Sequence, residues 1–418
     1  MEDRVIKARA VKGRVDVPPS KSMTIRALTA ALLACGESVI RNPSYSDDAL
    51  ACLSILETLG ADSKPAEGEV RVVGTSGLKR QIRGTTINAG ESGLCARMFV
   101  PVVAVREEEF WVTGSGSLLK RPFAMVEELR KFGAKSSTPS GLLPVRVKGP
   151  LLGGKGSIRG EITSQFLTGL LFSLPLAPSD SSISVTDLKS RPYVRMTLET
   201  LRMSGVEVTC DESLSQFEIK GEQRFKPISY TCEGDWSSAS FFLVAAAISG
   251  SLELKGLSLD SRQADKVILE VLRAHGTNVA TGDGSILVEQ GEARGFDFDA
   301  QEAPDLVPPL FVLAAFSKGR SRIFGIERLK YKESSRVDLL AKIFSKLGVR
   351  VEVLPGMAII EGGSIGGGIV DPEGDHRIAM ALAIAALRSK EGIRILNAQC
   401  VRKSYPSFFQ DLERICGE

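Results

Sequence analysis

The sequence predicts an α/β (α+β) chain of two domains, built from six repeats of about 70 residues with three repeats in each domain. Two series of residues support this prediction. In the first, helices that open with polar residues and continue with an Ala-, Leu- or Phe-rich body begin near positions 20, 91, 163, 235, 304 and 374. In the second, an amphipathic helix runs into a glycine and then a strand, with glycines at 60, 133, 205, 276, 348 and 417. All intervals lie between 69 and 73 residues, and two signals that share one period indicate an internal repeat.

Each repeat is predicted to contain the polar-ended helix, a strand, a second helix, and a final strand or hairpin. The strands after the first helices are expected at 38–40, 110–112, 183–185, 252–254, 322–324 and 394–396. The sixth repeat has too few residues for a hairpin, so we expect the strand-like segments 4–8 and 13–17 to supply it. The domains are then residues 1–17 with 230–418, and residues 18–229. Two crossings between them predict a hinge, with anionic ligands favouring the closed form.

Composition excludes several classes of protein. Hydrophobic residues make up 43% and charged residues 25% of the chain, and the net charge of +3 is too small to indicate a nucleic acid or membrane partner. The first residues lack a signal-peptide pattern and no apolar run is long enough to cross a bilayer, so we expect a cytoplasmic protein. Seven cysteines without a C-x-x-C pair and only two histidines argue against disulfides and a metal site. No glycine-rich nucleotide motif is present, and we expect no cofactor.

The first polar-ended helix predicts an anion site. Val17-Pro18-Pro19 ends a strand-like run, Ser20 is a plausible N-cap, and Lys21, Ser22 and Arg26 lie in the following turns. Ser22 and Arg26 are four residues apart and share a helical face, with Lys21 beside them. Free backbone N–H groups and the helix dipole favour an anion at such a helix start.

Further candidate ligands follow in the first half of the chain. Asp47 and Asp48 are predicted to cap and begin a helix rather than to act in catalysis. Glycines before Arg97 allow close backbone approach to a ligand, and Thr163-Ser164-Gln165 offers hydroxyl and amide groups suited to phosphate oxygens. The candidates in this half, besides those of the first helix, are Gly93, Arg97, Arg121, Thr163, Ser164, Gln165, Ser190 and Tyr193.

The second half adds carboxylates and cations. Asp235 lies at the beginning of a helix, and the sequence there fits a role as the N-cap of the helix and a role in ligand binding or catalysis equally well. Asp305 precedes apolar residues, so we expect it to be partly desolvated and tuned as a base. The remaining candidates are Lys332, Glu333, Arg336, Arg377 and Lys403. Together with the hydroxyls and cations of the first half, this set predicts binding of two phosphorylated or carboxylated small molecules.

These motifs resemble one family along most of the chain. Pro19-Ser20-Lys21-Ser22, Leu119-Lys120-Arg121-Pro122, Thr163-Ser164-Gln165-Phe166-Leu167, Lys332-Glu333-Ser334, Gly374-Asp375-His376-Arg377 and Lys403 occur in the order seen in the 5-enolpyruvylshikimate-3-phosphate synthase family. The resemblance implies a two-domain inverted α/β barrel-like enolpyruvyl transferase fold, with six βαβαββ repeats, three per domain around a pseudo-threefold axis. It also implies an active site in the interdomain cleft.

The resemblance implies a reaction without metal or organic cofactor. The enolpyruvyl group of phosphoenolpyruvate passes to the 5-hydroxyl of shikimate 3-phosphate, as in aromatic amino acid and chorismate biosynthesis, with these two small molecules as partners of a monomer. The implied shikimate 3-phosphate ligands are Lys21, Ser22, Arg26, Thr163, Ser164, Gln165, Ser190, Tyr193, Asp305 and Lys332. The implied phosphoenolpyruvate ligands are Lys21, Gly93, Arg121, Gln165, Arg336, Arg377 and Lys403. Asp305, Glu333 and Lys21 are expected to act in proton transfer.

The sequence departs from the family pattern at three positions. Leu94 stands where the family often has threonine, and Ser335 stands where aspartate commonly precedes the arginine. Arg328 replaces an asparagine that contacts shikimate in some members, so no contact is assigned to it.

Two alternatives remain at this point. A UDP-N-acetylglucosamine enolpyruvyl transferase would share the fold and phosphoenolpyruvate, but it uses a loop cysteine where this chain has residues 116–121. Cys95, by contrast, is predicted to be a buried helix residue. A non-catalytic anion-binding repeat protein would keep the cations but would not need Asp305 and Glu333 together.

Overall fold

A computed structural model describes residues 2–282 and 284–417. Within these residues it contains eleven α-helices: α1 (Lys21–Leu33), α2 (Asp47–Thr58), α3 (Gly93–Val103), α4 (Gln165–Ser173), α5 (Arg191–Met203), α6 (Trp236–Ser249), α7 (Ile268–His275), α8 (Val307–Ala315), α9 (Arg336–Lys346), α10 (His376–Ala386) and α11 (Phe408–Cys416). Shorter 3₁₀ helices cover Gly116–Lys120, Ala124–Phe132, Pro139–Gly141, Leu174–Leu176, Ala264–Val267, Pro304–Leu306, Glu327–Tyr331 and Ala398–Lys403. The second helix of the second repeat is thus a 3₁₀ helix. Its buried residues Val126, Leu129 and Phe132 recur with that helix's period of three.

The same part of the chain contains 23 strands. They are β1 (Arg4–Ile6), β2 (Val11–Asp16), β3 (Glu37–Arg41), β4 (Asp62–Ala66), β5 (Glu69–Val73), β6 (Thr86–Asn88), β7 (Glu109–Thr113), β8 (Lys135–Ser137), β9 (Val145–Lys148), β10 (Gly154–Arg159), β11 (Ser181–Thr186), β12 (Val208–Cys210), β13 (Gln216–Ile219), β14 (Ser229–Thr231), β15 (Gly250–Lys255), β16 (Asn278–Gly282), β17 (Ser285–Glu289), β18 (Asp297–Asp299), β19 (Arg320–Phe324), β20 (Arg350–Leu354), β21 (Met357–Glu361), β22 (Gly368–Val370) and β23 (Ile393–Ile395).

The strands of the described residues form six sheets with one common plan. Their orders are β14-β3-β5-β4, β6-β7-β9-β8, β10-β11-β13-β12, β2-β15-β17-β16, β18-β19-β21-β20 and β22-β23-β1. In every sheet the first two strands in this order are parallel. In the four-stranded sheets an antiparallel hairpin follows. The six predicted repeats are therefore confirmed, and each strand predicted after a polar-ended helix is the second strand of its sheet.

The N-terminal strands do not form the predicted hairpin of the sixth repeat. Only β1 joins the sixth sheet, where it lies antiparallel to β23. Strand β2 lies parallel to β15 in the fourth sheet, in register from Val11 opposite Gly250 to Asp16 opposite Lys255. A glycine permits this pairing, because a Cβ at position 250 would lie 1.9 Å from the carbonyl oxygen of Val11.

The chain divides into two compact units. We call Met1–Pro18 with Glu233–Glu418 the first unit, and Pro19–Cys232 the second unit. The predicted boundary between residues 229 and 230 falls inside β14. Because β14 pairs with β3 of the second unit, the chain leaves that unit only after Cys232.

Each unit has its core around the apolar helices that begin with polar residues. In the first unit α6, α8 and α10 pack against one another. In the second unit α3 packs on α4, and Thr29 of α1 contacts Met98 of α3. These helices are apolar on nearly all faces, as expected for buried helices, which leaves their ends as the places for polar groups. None of the helices within the described residues is long and apolar enough to cross a membrane.

Candidate active site

Polar caps define the beginnings of the core helices. Ser20 accepts a hydrogen bond from the backbone N–H of Met23, and Ser92 accepts one from Cys95. In the first unit, Asp235 and Asp375 cap α6 and α10 in the same way. Capping needs only a short acceptor side chain before the apolar run, and this explains why the sequence predicted these helix starts correctly. Asp235 therefore has the capping role that was one of its two predicted uses.

Lys21 is paired with a carboxylate that the sequence analysis left out of the site. Its Nζ lies 2.8 Å from Asp48 Oδ2, and only 14% of the lysine side chain and 6% of the aspartate side chain are exposed. Asp48 lies in the first turn of α2, as predicted, but it also determines where the Lys21 ammonium lies. No local pattern indicates this pair, because α1 and α2 bring together residues that are 27 positions apart.

Arg26 is hydrogen-bonded to three residues of its own unit. Its Nε donates to Thr197 Oγ1 at 3.0 Å, Nη1 donates to the Ser22 carbonyl at 3.0 Å, and Nη2 donates to the Tyr193 carbonyl at 3.2 Å. Burial lowers the pKa of Arg26 to about 10, although the Tyr193 phenol acts in the opposite direction. Three of its five N–H donors are used in this way, so Arg26 links α1 to α5 and keeps two donors for a ligand.

The other predicted hydroxyl ligands lie at the beginnings of α4 and α5. Thr163 Oγ1 accepts from the Gln165 N–H at 3.1 Å, and Ser164 is buried beside them. Ser190 adopts a left-handed conformation with φ of 58° immediately before α5, and Tyr193 lies in the first turn of that helix. Since α5 packs on both α1 and α4, these hydroxyls belong to the same side of the second unit as Lys21.

Gly93 lies among three polar side chains. A Cβ at this position would lie 3.0 Å from Nη1 of Arg121, 3.0 Å from Nη1 of Arg97 and 3.6 Å from Oε1 of Gln165. Arg97 Nη1 donates to Gln165 Oε1 at 2.9 Å, Arg97 Nη2 donates to the Pro122 carbonyl, and the Arg97 guanidinium lies 4.8 Å above the Phe123 ring. Gly93, Gln165 and Arg121, predicted to bind one ligand, are therefore brought together around the start of α3.

Arg336 is the centre of the ionic cluster in the first unit. The side chain is fully buried, and its Nε and Nη2 donate to the two oxygens of the equally buried Asp375, at 2.9 and 3.2 Å. Nη1 donates to Asp305 Oδ1 at 3.0 Å, and Nη2 also donates to Glu333. Arg336 is therefore bonded to three carboxylates although Ser335, not an aspartate, precedes it. Asp375 is another functional candidate that the sequence analysis did not assign.

Asp305 lies among three cations. Arg377 Nη2 is 3.1 Å from Oδ2, while Arg336 Nη1 and Lys332 Nζ are 3.0 and 3.4 Å from Oδ1. Burial alone would raise the pKa of Asp305, but the positive charges of Arg377, Lys332 and Arg336 outweigh burial and hold the pKa well below its ordinary value. Asp305 is largely buried, as expected, with 17% of its side chain exposed, and its use as a base stays a prediction.

The two predicted lysines of this unit each approach one of the two predicted carboxylates. Lys403 Nζ is 3.8 Å from Glu333 Oε1, and Lys332 Nζ faces Asp305. Burial lowers the pKa of Lys332, while the charge of Asp305 opposes this effect. The predicted residues Asp305, Lys332, Glu333, Arg336, Arg377 and Lys403 thus form one cluster, in which cations outnumber the predicted carboxylates.

One cavity of the second unit lies apart from these candidate residues. Within the described residues, no group of three or more His, Cys, Asp or Glu side chains could hold a metal ion. A cavity of about 890 Å³ lies beyond the C-terminal ends of α1, α3 and α4, and its lining includes Leu33, Val105 and Leu176. None of the candidate ligands lines it, since those lie at the opposite ends of the same helices.

Comparison with known proteins identifies the family. Residues 5–412 match the family model of EPSP synthase (3-phosphoshikimate 1-carboxyvinyltransferase). The 3-phosphoshikimate 1-carboxyvinyltransferase of Aeropyrum pernix is 40% identical over 414 residues, covering 98% of this chain and 95% of that protein. The enzyme of that name from Clostridium novyi is 35% identical over 429 residues, covering 100% of this chain and 98% of that protein.

A solved structure agrees with the sequence comparison. The EPSP synthase of Acinetobacter baumannii superposes with a TM-score of 0.82 at 25% identity, covering 99% of this chain and 98% of that chain. The predicted enolpyruvyl transferase fold and the family resemblance are both confirmed. The chain therefore belongs to the EPSP synthase (3-phosphoshikimate 1-carboxyvinyltransferase) family.

Proposed function

We propose that this chain transfers the enolpyruvyl group of phosphoenolpyruvate to the 5-hydroxyl of shikimate 3-phosphate. The products are 5-enolpyruvylshikimate 3-phosphate and phosphate, and the reaction belongs to the shikimate pathway. The observation that carries the proposal is the cluster around Asp305. An ionised carboxylate surrounded by Arg336, Arg377 and Lys332 suits a reaction that joins an alcohol to a donor with two anionic groups.

Phosphoenolpyruvate carries a carboxylate and a phosphate, so its binding residues should be mostly cations. We assign to it Lys21, Gly93, Arg121 and Gln165 of the second unit, and Arg336, Arg377 and Lys403 of the first unit. Arginine suits these roles because its planar guanidinium can donate two parallel hydrogen bonds to a carboxylate or phosphate. That the two sets meet around one ligand in an interdomain cleft stays a prediction.

Shikimate 3-phosphate combines a phosphate with several hydroxyls, which calls for mixed donors. Its proposed ligands in the second unit are Lys21, Ser22, Arg26, Thr163, Ser164, Gln165, Ser190 and Tyr193. In the first unit they are Asp305 and Lys332. The hydroxyls and the Gln165 amide can form hydrogen bonds with phosphate oxygens or with the hydroxyls of shikimate 3-phosphate. The Asp305 carboxylate can only accept hydrogen bonds, and the 5-hydroxyl is a suitable donor.

The proposed chemistry is addition followed by elimination. In the addition, Asp305 takes the proton of the 5-hydroxyl, the oxygen bonds to C2 of phosphoenolpyruvate, and protonated Glu333 gives a proton to C3. In the elimination, the C2–phosphate bond breaks, a methyl proton returns to Glu333, and the proton on Asp305 leaves with the phosphate. Lys21 assists by stabilising negative charge on the phosphate.

Substrate binding itself would make Asp305 a better base. The neighbouring cations hold the pKa of Asp305 well below its ordinary value, which makes the carboxylate a weak proton acceptor. Anions of phosphoenolpyruvate that pair with Arg336 and Arg377 would offset those positive charges. The pKa of Asp305 would then rise towards a range in which it can accept a proton.

The alternative acceptor, UDP-N-acetylglucosamine, is not favoured. Residues 116–121, where that class of enzyme has its loop cysteine, contain none, and they include the 3₁₀ helix Gly116–Lys120. Cys95 is fully buried in α3, as predicted. A non-catalytic anion-binding role would not require Asp305 and Glu333 to share one arginine, which they do through Arg336. We also propose that the chain works as a cytoplasmic monomer, which light scattering and cell fractionation would test.

Replacement of Asp305 by Asn tests the role of the carboxylate. Asp305→Asn keeps the shape but cannot take a proton, so turnover should fall about 10²- to 10⁴-fold. Asp299→Asn is the matched control, because Asp299 is exposed in the same unit and accepts only a local hydrogen bond from Gln301. Formation of 5-enolpyruvylshikimate 3-phosphate should be followed by mass spectrometry. Turnover of the Asp305 variant near that of the wild type would reject this residue as the base.

A further inference from the structure

Glu91, Ser117 and Arg121 form a hydrogen-bonded chain in the second unit. The Ser117 backbone N–H and hydroxyl both donate to Glu91 Oε2, at 3.1 and 2.8 Å. Arg121 Nη2 in turn donates to Ser117 Oγ at 3.0 Å. The chain therefore connects the segment before α3 to Arg121, which follows the 3₁₀ helix Gly116–Lys120.

The direction of these bonds is determined by chemistry. A serine hydroxyl has one proton, and an ionised carboxylate can only accept, so the Ser117 proton points to Glu91. The lone pairs of Ser117 Oγ are then available to the Arg121 guanidinium, which can only donate. Glu91 thus orients the Ser117 hydroxyl, and this hydroxyl accepts a hydrogen bond from Nη2 of Arg121.

The segment around Ser117 is closely packed on the Glu91 carboxyl group. Gly116 has φ of +55°, and a Cβ at this position would lie 2.4 Å from the carboxyl carbon and one oxygen of Glu91. Arg121 itself is only 5% exposed, and its other terminal nitrogen faces Gly93. Ser117 therefore orients the guanidinium through Nη2, and Gly93 at the start of α3 lies close to Nη1.

We propose that Glu91 and Ser117 are positioning residues that orient Arg121 towards phosphoenolpyruvate. The inference rests on the proposed function, because it takes Arg121 as a ligand of that substrate. Neither residue contacts the reacting atoms in this proposal. Their effect is to preorganise a cation, which lowers the entropic cost of binding the anion.

The test compares Glu91→Ala, Glu91→Gln and Ser117→Ala with the wild-type chain. Glu91→Ala and Ser117→Ala should raise the KM for phosphoenolpyruvate about tenfold, as expected for the loss of one hydrogen bond that involves charged groups. Glu91→Gln should restore most of the affinity, because its amide oxygen can still accept from Ser117. The KM for shikimate 3-phosphate should stay within about twofold of wild type in all variants. Ser115→Ala is the matched control, since Ser115 is an exposed hydroxyl two residues away.

Calorimetric titration with phosphoenolpyruvate, with and without shikimate 3-phosphate, separates this inference from the proposed function. If the wild-type chain binds phosphoenolpyruvate but does not turn over, the proposed function fails, and weaker binding by Glu91→Ala still supports the positioning role. Equal binding by Glu91→Ala and wild type would overturn the inference, as would equal loss in Glu91→Gln and Glu91→Ala. A parallel rise in both KM values, or no phosphoenolpyruvate binding by the wild-type chain, would overturn it as well.

Discussion

The buried contact between Asp375 and Arg336 makes a large and measurable prediction. Asp375 accepts two hydrogen bonds from Arg336, one from Ser334 Oγ at 3.1 Å and one from the Arg377 N–H at 3.0 Å. The Asp375→Asn variant keeps the side-chain volume but removes the charge, and its amide N–H₂ cannot accept from Arg336. The fully buried guanidinium would then lose its most enclosed counter-charge, while Asp305 and Glu333 remain.

Removal of one partner from a buried ion pair costs about 3–5 kcal/mol, and loss of two charge-assisted hydrogen bonds leads to a similar figure. A unit of this size loses about 2–4 °C in Tm for each kcal/mol. Asp375→Asn should therefore lower the Tm of the first unit by roughly 6–20 °C.

Tryptophan fluorescence can follow the first unit by itself. The sequence has two tryptophans, of which Trp236 is fully buried in α6 of the first unit and Trp111 belongs to the second unit. In a Trp111→Phe background the signal reports the first unit alone. Asp371→Asn is the control, because Asp371 is exposed just before α10, and its Tm should change little. If Asp375→Asn unfolds within 1 °C of the background chain, the reasoning about this buried pair is refuted.

Three further changes follow from the same contacts. Gly93→Ala should raise the KM for phosphoenolpyruvate and leave that for shikimate 3-phosphate nearly unchanged, because the new Cβ would lie 3.0 Å from Nη1 of Arg121. Asp48→Asn should lower kcat at least about tenfold in steady-state assays, because a partly buried Lys21 loses its ionic partner at 2.8 Å. Burial raises the pKa of Asp265 from 3.8 to about 7, so its stabilising contribution is complete below pH 4 and is lost as the pH rises to 7. Urea unfolding should then show Asp265→Asn gaining roughly 4 kcal/mol over wild type between pH 4 and pH 8.

A specific experimental result would contradict each of these three predictions. An unchanged KM for phosphoenolpyruvate in Gly93→Ala would mean that the guanidinium groups near α3 do not bind this substrate. Asp47→Asn, an exposed neighbour, is the control for Asp48→Asn, and equal activities of the two variants would contradict the role of the Lys21 pair. A stability difference between Asp265→Asn and wild type that does not depend on pH would show that Asp265 keeps its ordinary pKa.

The repeats could be predicted because their signals are local. A polar N-cap before an apolar helix and a glycine after an amphipathic helix both act within a few residues. The glycines at the ends of the second helices, such as Gly60 and Gly348, have φ near +90°, a conformation that strongly favours glycine. Because the same local requirement recurs in every repeat, its spacing revealed the architecture.

The missed features depend on contacts between distant residues. Asp375 and Arg336 are 39 positions apart, and Asp48 and Lys21 are 27 positions apart, so no local pattern reveals either pair. The pairing of β2 with β15 likewise depends on a close backbone contact at Gly250. The low pKa of Asp305 also depends on distant residues. The sequence around a helix start predicts burial of the carboxylate, but it does not show which cations surround it.

The most direct test of the proposed function is phosphate release from phosphoenolpyruvate with shikimate 3-phosphate as acceptor, measured beside UDP-N-acetylglucosamine. We expect release with shikimate 3-phosphate and none with the nucleotide sugar. Release with UDP-N-acetylglucosamine alone would contradict the assigned acceptor while leaving the donor correct, and no release with either acceptor would contradict the assignment of this chain as an active enolpyruvyl transferase.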